Sequence, residues 1–174
     1  MIGMGALLDV VVPGSPQGYQ RPGVRVVTAG GRTWAQHYEQ APTRSWRSVA
    51  VGVLTSEDGA PLARVDDVPV RVTVEAVGPR PKSVPKRLGS GRLWRISKPD
   101  VDNVCKSCLD ALVTAGVLRD DVLVTELVAR SLVAADGEAP HTRVIVDVLD
   151  PLPMVPWPEK PRAKVAQVTP CLDL

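Results

Sequence analysis

Four carboxylates and one lysine lie close together in this 174-residue chain, at spacings that allow them to surround one divalent metal ion. Asp100 and Asp102 come first, Lys106 follows one helical turn later, and Asp120 and Asp121 come after a short amphipathic stretch. Hard cations such as Mg²⁺ take oxygen ligands, often one or two carboxylates together with waters and substrate phosphates. The pattern predicts a metal that activates water for phosphodiester hydrolysis, with Lys106 binding the phosphate or the charge of the transition state.

Two stretches free of acidic residues accompany these carboxylates, one between Asp9 and Glu39 and one between Glu75 and Asp100. The net charge is only +2, so a polyanion site must come from such local patterning. The alternative is that these runs are ordinary solvated surface. We predict phosphate contacts with little base specificity. The predicted contacts are Arg80, Lys82, Lys86, Arg87, Arg92, Arg95, Lys98, Arg21 and Arg25. Trp94 either stacks on a base or covers the edge of the core.

Length and composition indicate one globular domain, which we expect to span residues 1–150. The segment 151–174 is rich in proline and is predicted to be extended or disordered. Three cysteines, an odd and low count, indicate a reducing compartment, and Cys105 and Cys108 are expected in the core. No apolar run reaches transmembrane length and no signal peptide is present, so we expect a soluble cytoplasmic protein without membrane contact.

Apolar periodicity predicts the elements that must position these residues. Strands are expected over 6–12, 68–76, 122–133 and 142–149, with a short basic hairpin over 24–35. Helices are expected over 42–56, capped by Thr43, and over 102–115, ended by Gly116. The prolines and glycines of residues 78–99 exclude a helix interior or a central strand and predict a long loop. The fold class is therefore a mixed α+β domain with a small sheet and two main helices.

The acidic residues also have simpler interpretations than a metal site. Asp102 could be only a helix N-cap, and Asp120-Asp121 only a turn. Asp110 lies about 12 Å along the helix from Asp102 and is left out of the metal site as a salt-bridge residue. An EF-hand beginning at Asp100 fails because its sixth and twelfth positions lack Gly and Glu. A sugar-nucleotide D-x-D site would leave Lys106 and the later Asp pair unexplained.

The complete pattern resembles the RusA family of Holliday junction resolvases over roughly residues 6–149. The residues that carry the resemblance are Pro99-Asp100-x-Asp102-Asn103-x-x-Lys106, Leu109-Asp110-Ala111-Leu112, Gly116 and Asp120-Asp121. The resemblance implies a small homodimeric endonuclease, bacterial or phage-encoded, that needs Mg²⁺ or Mn²⁺ and cuts four-way DNA junctions by symmetric nicks in recombination and repair. It assigns Asp100, Asp102 and Asp121 to the metal, with Asp120 adjacent, and makes Lys106 the catalytic lysine.

Two alternative functions stay open at this point. The chain could be a metal-dependent nuclease that prefers other branched DNA, or a junction-binding protein without catalysis. The intact set of carboxylates and lysine argues against the second alternative.

Overall fold

The structure, a computed structural model, describes residues 6–150, and all structural statements concern these residues. The proline-rich segment 151–174, predicted to be extended or disordered, lies outside them. The predicted domain boundary at residue 150 therefore stays a prediction. Within residues 6–150 no helix is both long and apolar enough to cross a membrane.

The described residues form seven strands and two α-helices. The strands are β1 (Leu8–Pro13), β2 (Gly23–Ala29), β3 (Arg32–Tyr38), β4 (Val70–Gly78), β5 (Leu93–Trp94), β6 (Val124–Val133) and β7 (His141–Val148), and the helices are α1 (Ala41–Leu54) and α2 (Val101–Thr114). Five strands make one mixed sheet in the order β1-β7-β4-β6-β5, and β2 pairs with β3 in a separate ribbon. The predicted α+β class, with a mixed sheet and two main helices, is confirmed.

One pairing in the sheet decides where the ends of α2 lie. β4 and β6 run parallel, with Val70 beside Val124 and Gly78 beside Val133, whereas the other pairs of the sheet are antiparallel. A parallel pair needs a crossover connection, which is usually a helix. α2 supplies it. The chain leaves the C-terminal end of β4 and enters α2 at that end of the strands. It then returns along α2 to the opposite end, where β6 begins.

The alternation of β4 explains how the sheet packs. Val70, Val72, Val74 and Ala76 are fully buried on the face that carries the helices, and Glu75 lies on the other face. The same apolar core takes up one face of α2, including Cys105 and Cys108. Both cysteines are free and buried, as predicted, and burial raises the pKa of the Cys108 thiol well above its usual range.

The helix ends agree with the predictions only in part. α2 begins after Asp100, and Gly116 follows it with a φ of 76°, a left-handed conformation that suits glycine beyond a helix C-terminus. The predicted cap of α1 is wrong, since Gln40 holds that position. Thr43 is instead buried inside the first turn, where its hydroxyl donates to Gln20 Oε1 at 3.5 Å.

The long loop between β4 and α2 is ordered by arginine side chains. Arg80 donates from Nη1 to the carbonyl oxygens of Gly91 and Ala134, at 3.0 and 3.1 Å, and from Nη2 to that of Gly89 at 2.6 Å. Arg92 pairs with Glu138, with Nε 3.0 Å from both carboxylate oxygens. A 3-10 turn at Lys86–Leu88 and the short edge strand β5 complete the segment. The predicted loop is therefore a clamped structure rather than a free one.

We predict that Glu138→Gln removes part of the acid sensitivity of folding. The guanidinium of Arg92 lowers the pKa of Glu138 from its usual value of 4.5 to about 2. A carboxylate with a lowered pKa stabilises the fold fully above pH 4.5, and that stabilisation is lost as the pH falls toward 2. Urea unfolding measured between pH 5 and about 2.5 should therefore show a smaller decline for the variant than for the wild type. An equal decline in both proteins would contradict the ion pair.

Candidate active site

Asp100 and Asp102 lie together at the N-terminal end of α2. Asp100 occupies the N-cap position, but its carboxylate makes no capping hydrogen bond, and Asp102 follows in the first turn. Both side chains are exposed, and neither forms an ion pair with another residue of 6–150. The alternative that Asp102 is only the N-cap is therefore wrong, because Asp100 holds that position and Asp102 lies inside the first turn. The positive end of the helix dipole lies at these two carboxylates.

A cleft of about 540 Å³ opens beside the two carboxylates. Its wall includes Ile96, Lys98 and Ser131 as well as the aspartates. Arg95 joins two parts of this wall. It donates from Nη2 to the Pro99 carbonyl at 3.1 Å and from Nε to Ser131 Oγ at 3.0 Å. Arg95 also crosses Gly78 so closely that a Cβ there would lie 2.5 Å from Nη1. The end of β4 and the start of α2 are thus fixed by one arginine.

Lys106 lies one helical turn beyond Asp102 and is exposed. It makes no ion pair with Asp102 or Asp110 in the described part of the chain. Its ammonium group instead lies over the ring of Tyr19, 4.1 Å from the ring centroid. Attraction between a cation and an aromatic face is worth about 0.5–1 kcal/mol at an exposed site. Tyr19 therefore fixes the position of the Lys106 ammonium group.

The loop that carries Tyr19 is attached to the first turn of α2. The Tyr19 amide donates to the Asn103 carbonyl oxygen at 2.9 Å. Gly18 lies against Pro99, and a Cβ on Gly18 would come within 2.9 Å of the Pro99 Cβ. The sequence reasoning missed Tyr19, because nothing in local periodicity reveals a contact between residues so far apart in the chain. The weak signal was the position of Tyr19 in an acid-free stretch.

Asp120 and Asp121 do not lie at this site. They line a different cleft, of about 400 Å³, with Asp110 and Thr114 of the last turns of α2. Asp120 Oδ1 accepts a hydrogen bond from the Val122 amide at 3.0 Å and caps the turn before β6. This bond is the main cause of the lowered pKa of Asp120. Asp120 therefore has a structural role, and its assignment to the metal is not supported.

Within one chain Asp121 does not join Asp100 and Asp102, so the expectation that these carboxylates surround one metal ion is wrong for a single chain. The 14 residues of α2 separate the two ends by about 20 Å. The register of the sheet gives the same separation, since Asp121 precedes Val124 at the start of β6 whereas Ser131, beside Asp100, lies near the end. Within residues 6–150 no three acidic, histidine or cysteine side chains are close enough to hold one metal.

The two carboxylates at the start of α2 nevertheless suit a hard cation. Mg²⁺ is commonly bound by one or two carboxylates together with waters and substrate phosphates. Asp100 and Asp102 are adjacent, exposed and unpaired, and a cation would relieve the repulsion between them. Asp110, left out of the site on spacing grounds, does have a structural role. It forms an ion pair with Arg47 at 3.4 Å rather than with Lys106.

The basic residues predicted to contact DNA fall into two groups. Arg80, Arg92 and Arg95 hold the loop and the start of α2 through the contacts described above, and are therefore not assigned to phosphates. The others are exposed and form no ion pair with a residue of 6–150, although Arg25 donates to Gln36 Oε1 at 2.9 Å. This exposed group consists of Lys82, Arg87, Lys98, Arg21 and Arg25. Lys86 was also predicted as a contact, and its side chain lies outside the description.

Trp94 does not cover the core. Its side chain is 73% exposed, and that of its neighbour Ile96 is 101% exposed. The structure therefore excludes the core-covering alternative, while the stacking of Trp94 on a base stays a prediction.

Comparison with protein families gives one result that covers most of the chain. The family described as endodeoxyribonuclease RusA matches residues 13–147, which include β4, the clamped loop, α2 and both clefts. A comparison with curated proteins gives no match.

We predict that Tyr19→Leu lowers the rate of DNA cleavage by roughly two- to fivefold, because it removes the aromatic face that holds Lys106. Tyr19→Phe retains the ring and should cleave within about twofold of the wild-type rate. Single-turnover cleavage measures the effect, and thermal unfolding of both variants controls for stability. A Phe variant as slow as the Leu variant would show that the hydroxyl, not the ring, is required.

Proposed function

Because the chain belongs to the RusA family of endodeoxyribonucleases, we propose that it is a Mg²⁺-dependent nuclease that resolves four-way DNA junctions by paired symmetric nicks. We propose that this activity serves DNA recombination and repair in the bacterial cytoplasm, and that the protein is encoded by a bacterium or a phage. One observation supports the proposal most directly. Two exposed carboxylates, Asp100 and Asp102, lie at the positive end of α2 without an ion pair in residues 6–150, and Lys106 follows Asp102 by one helical turn.

Each of these side chains has a role in the proposed reaction. Asp100 and Asp102 would hold Mg²⁺, or Mn²⁺ in its place. The bound metal supplies an activated water and stabilises the leaving oxygen. Lys106 would bind a non-bridging oxygen of the scissile phosphate, where charge increases in the transition state. The free N–H groups at the start of α2 favour a phosphate at the same place.

Asp121 enters this proposal only through a second copy of the chain. The family resemblance makes Asp121 a metal ligand, but in its own chain Asp121 lies in the cleft at the other end of α2, with Asp110 and Thr114. In a twofold dimer each contact occurs twice, so Asp121 of each copy can approach the carboxylate pair of the other. We therefore propose a homodimer in which each of the two active sites contains residues from both chains.

Exposed apolar side chains support a second copy on this side of the molecule. Leu127 lies beside Val72 on the helix-bearing face of the sheet, yet it is 46% exposed because α2 does not cover it. Val122 is 72% exposed. Leu127 lies about midway along β6 between the levels of Asp121 and Ser131, where a twofold axis that exchanges the two clefts would pass. Two active sites would then act on the two opposed strands of a junction.

Exposed cations of the cleft and of the loop that precedes it provide the proposed DNA contacts. Lys98 lines the cleft itself, and Lys82 and Arg87 extend from the clamped loop. Contacts of this kind bind the phosphate backbone with little sequence preference and weaken as salt concentration rises. They suit an enzyme that recognises the shape of a branch.

We predict that a labelled four-way junction is nicked by the wild-type protein with Mg²⁺ and is not nicked in EDTA. Asp102→Asn should lower the rate at least about 100-fold, because it removes a charged ligand from the metal. Asp66→Asn is the matched control, and should cleave at close to the wild-type rate because Asp66 pairs with Arg64 and lines neither of the two clefts. Denaturing gel electrophoresis of both labelled strands measures the paired nicks.

The same experiment separates the alternative functions. Binding without nicking, in wild type and Asp102→Asn alike, would identify a non-catalytic junction-binding protein. Cleavage of forks or other branched DNA at least as fast as junctions would identify a nuclease with a different branched substrate.

A further inference from the structure

The β2–β3 ribbon is an exposed projection of the molecule. Its two strands are paired over their whole length and pack mainly against each other rather than against the sheet or the helices. Every residue of β3 is exposed, and β2 is exposed at most positions. A two-stranded ribbon alone is at best marginally stable in water. A binding partner would supply the contacts that the rest of residues 6–150 does not make with the ribbon.

The two faces of the ribbon differ in chemistry. In an antiparallel pair, directly opposed residues share a face, and two side-chain contacts fix which face is which. Arg25 donates to Gln36 across one face, while the hydroxyls of Thr28 and Thr33 are 3.0 Å apart on the other. The first face, here called the cationic face, carries Arg25, Gln36, Val27, Trp34, Arg32 and Tyr38. The second, here called the neutral face, carries Val24, His37, Val26, Ala35, Thr28 and Thr33.

The cationic face is closely packed at the base of the ribbon. The ring of Tyr38 covers Gly23 at the base of the ribbon, so closely that a Cβ there would lie 2.3 Å from the ring. Trp34 is 47% exposed and has Arg32 two residues before it along the same face. Planar aromatic and guanidinium groups in this arrangement stack on bases and bind phosphates.

We propose, on the premise that the chain acts on branched DNA, that the cationic face of the ribbon docks into the major groove of a duplex arm beside the branch. The major groove admits a two-stranded β-ribbon. Seven residues per strand give the ribbon a length of about 24 Å, which corresponds to about seven base pairs. The ribbon therefore contacts duplex DNA that the active-site cleft does not reach.

Charge and position favour DNA over a second protein chain as the occupant. No acidic residue lies between Asp9 and Glu39, so every charged side chain of the ribbon and of the segment leading into it is an arginine. The ribbon also begins directly after the loop that holds Tyr19 against Lys106. Only a few residues separate the ribbon from Tyr19. The ring of Tyr19 contacts Lys106, the side chain proposed to bind the scissile phosphate.

The test compares the two faces of the same ribbon. One variant combines Arg25→Gln with Arg32→Gln on the cationic face. Its matched control combines Val24→Thr with Val26→Thr on the neutral face and retains residues that favour strands. A third variant, Trp34→Ala, removes the aromatic group without changing charge. Binding of a four-way junction and of linear duplex by the full chain is measured at several salt concentrations, with oligomeric state checked by light scattering.

We expect the charge variant to bind about tenfold more weakly at low salt, with the slope of log affinity against log salt reduced by about two. Trp34→Ala should bind several-fold more weakly with an unchanged slope, and the neutral-face control should match the wild type. A charge variant that binds like the wild type would overturn the inference. A neutral-face variant that dissociates the protein would show that the ribbon joins two copies.

The wild-type protein distinguishes this inference from the proposed function. Wild type that cleaves junctions while all ribbon variants bind normally would leave the nuclease proposal intact and refute the ribbon. Wild type that binds duplex through the cationic face but never cleaves would refute the nuclease and support the ribbon. Wild type that binds no DNA would refute both.

Discussion

The parallel pairing of β4 with β6 is the constraint on which the rest of the molecule depends. Parallel neighbours cannot be joined by a tight turn, so α2 must run back along the sheet from the end of one strand to the start of the next. Asp100 and Asp102 precede that helix, and Asp121 follows it. The pairing therefore places Asp100 and Asp102 at one end of α2 and Asp121 at the other. A single metal site that uses all three needs two chains.

The start of α2 is assembled from distant parts of the sequence. Arg95 connects it to Gly78 and Ser131, and Tyr19 connects it to Lys106. These contacts fix the backbone around Asp100 without using its carboxylate, which stays available to a cation. The other end of the helix is arranged differently, because there Asp110 and Asp120 are bonded within the chain. Within residues 6–150, the same residue type is thus free of ion pairs at one end of the helix and bonded within the chain at the other.

The sequence reveals what depends on local pattern. Alternating valines identify β4, and the apolar stripe ending at Gly116 identifies α2 to within a residue. Such local patterns do not predict contacts between segments that are far apart in the sequence. Arg80 looks like a phosphate ligand in sequence, yet it binds three carbonyl oxygens of its own loop. The position of Asp121 depends on strand direction, which neither composition nor spacing determines.

Mixing two inactive variants tests the shared active site most directly. Asp102→Asn and Asp121→Asn should each abolish junction cleavage alone. In a mixed dimer one site receives both substitutions, and the other receives wild-type residues from both chains. After unfolding and refolding the two variants together, we expect about a quarter of the wild-type nicking activity, as single rather than paired nicks. Mixed dimers with no activity would contradict a site built from two chains, as would full activity of Asp121→Asn alone.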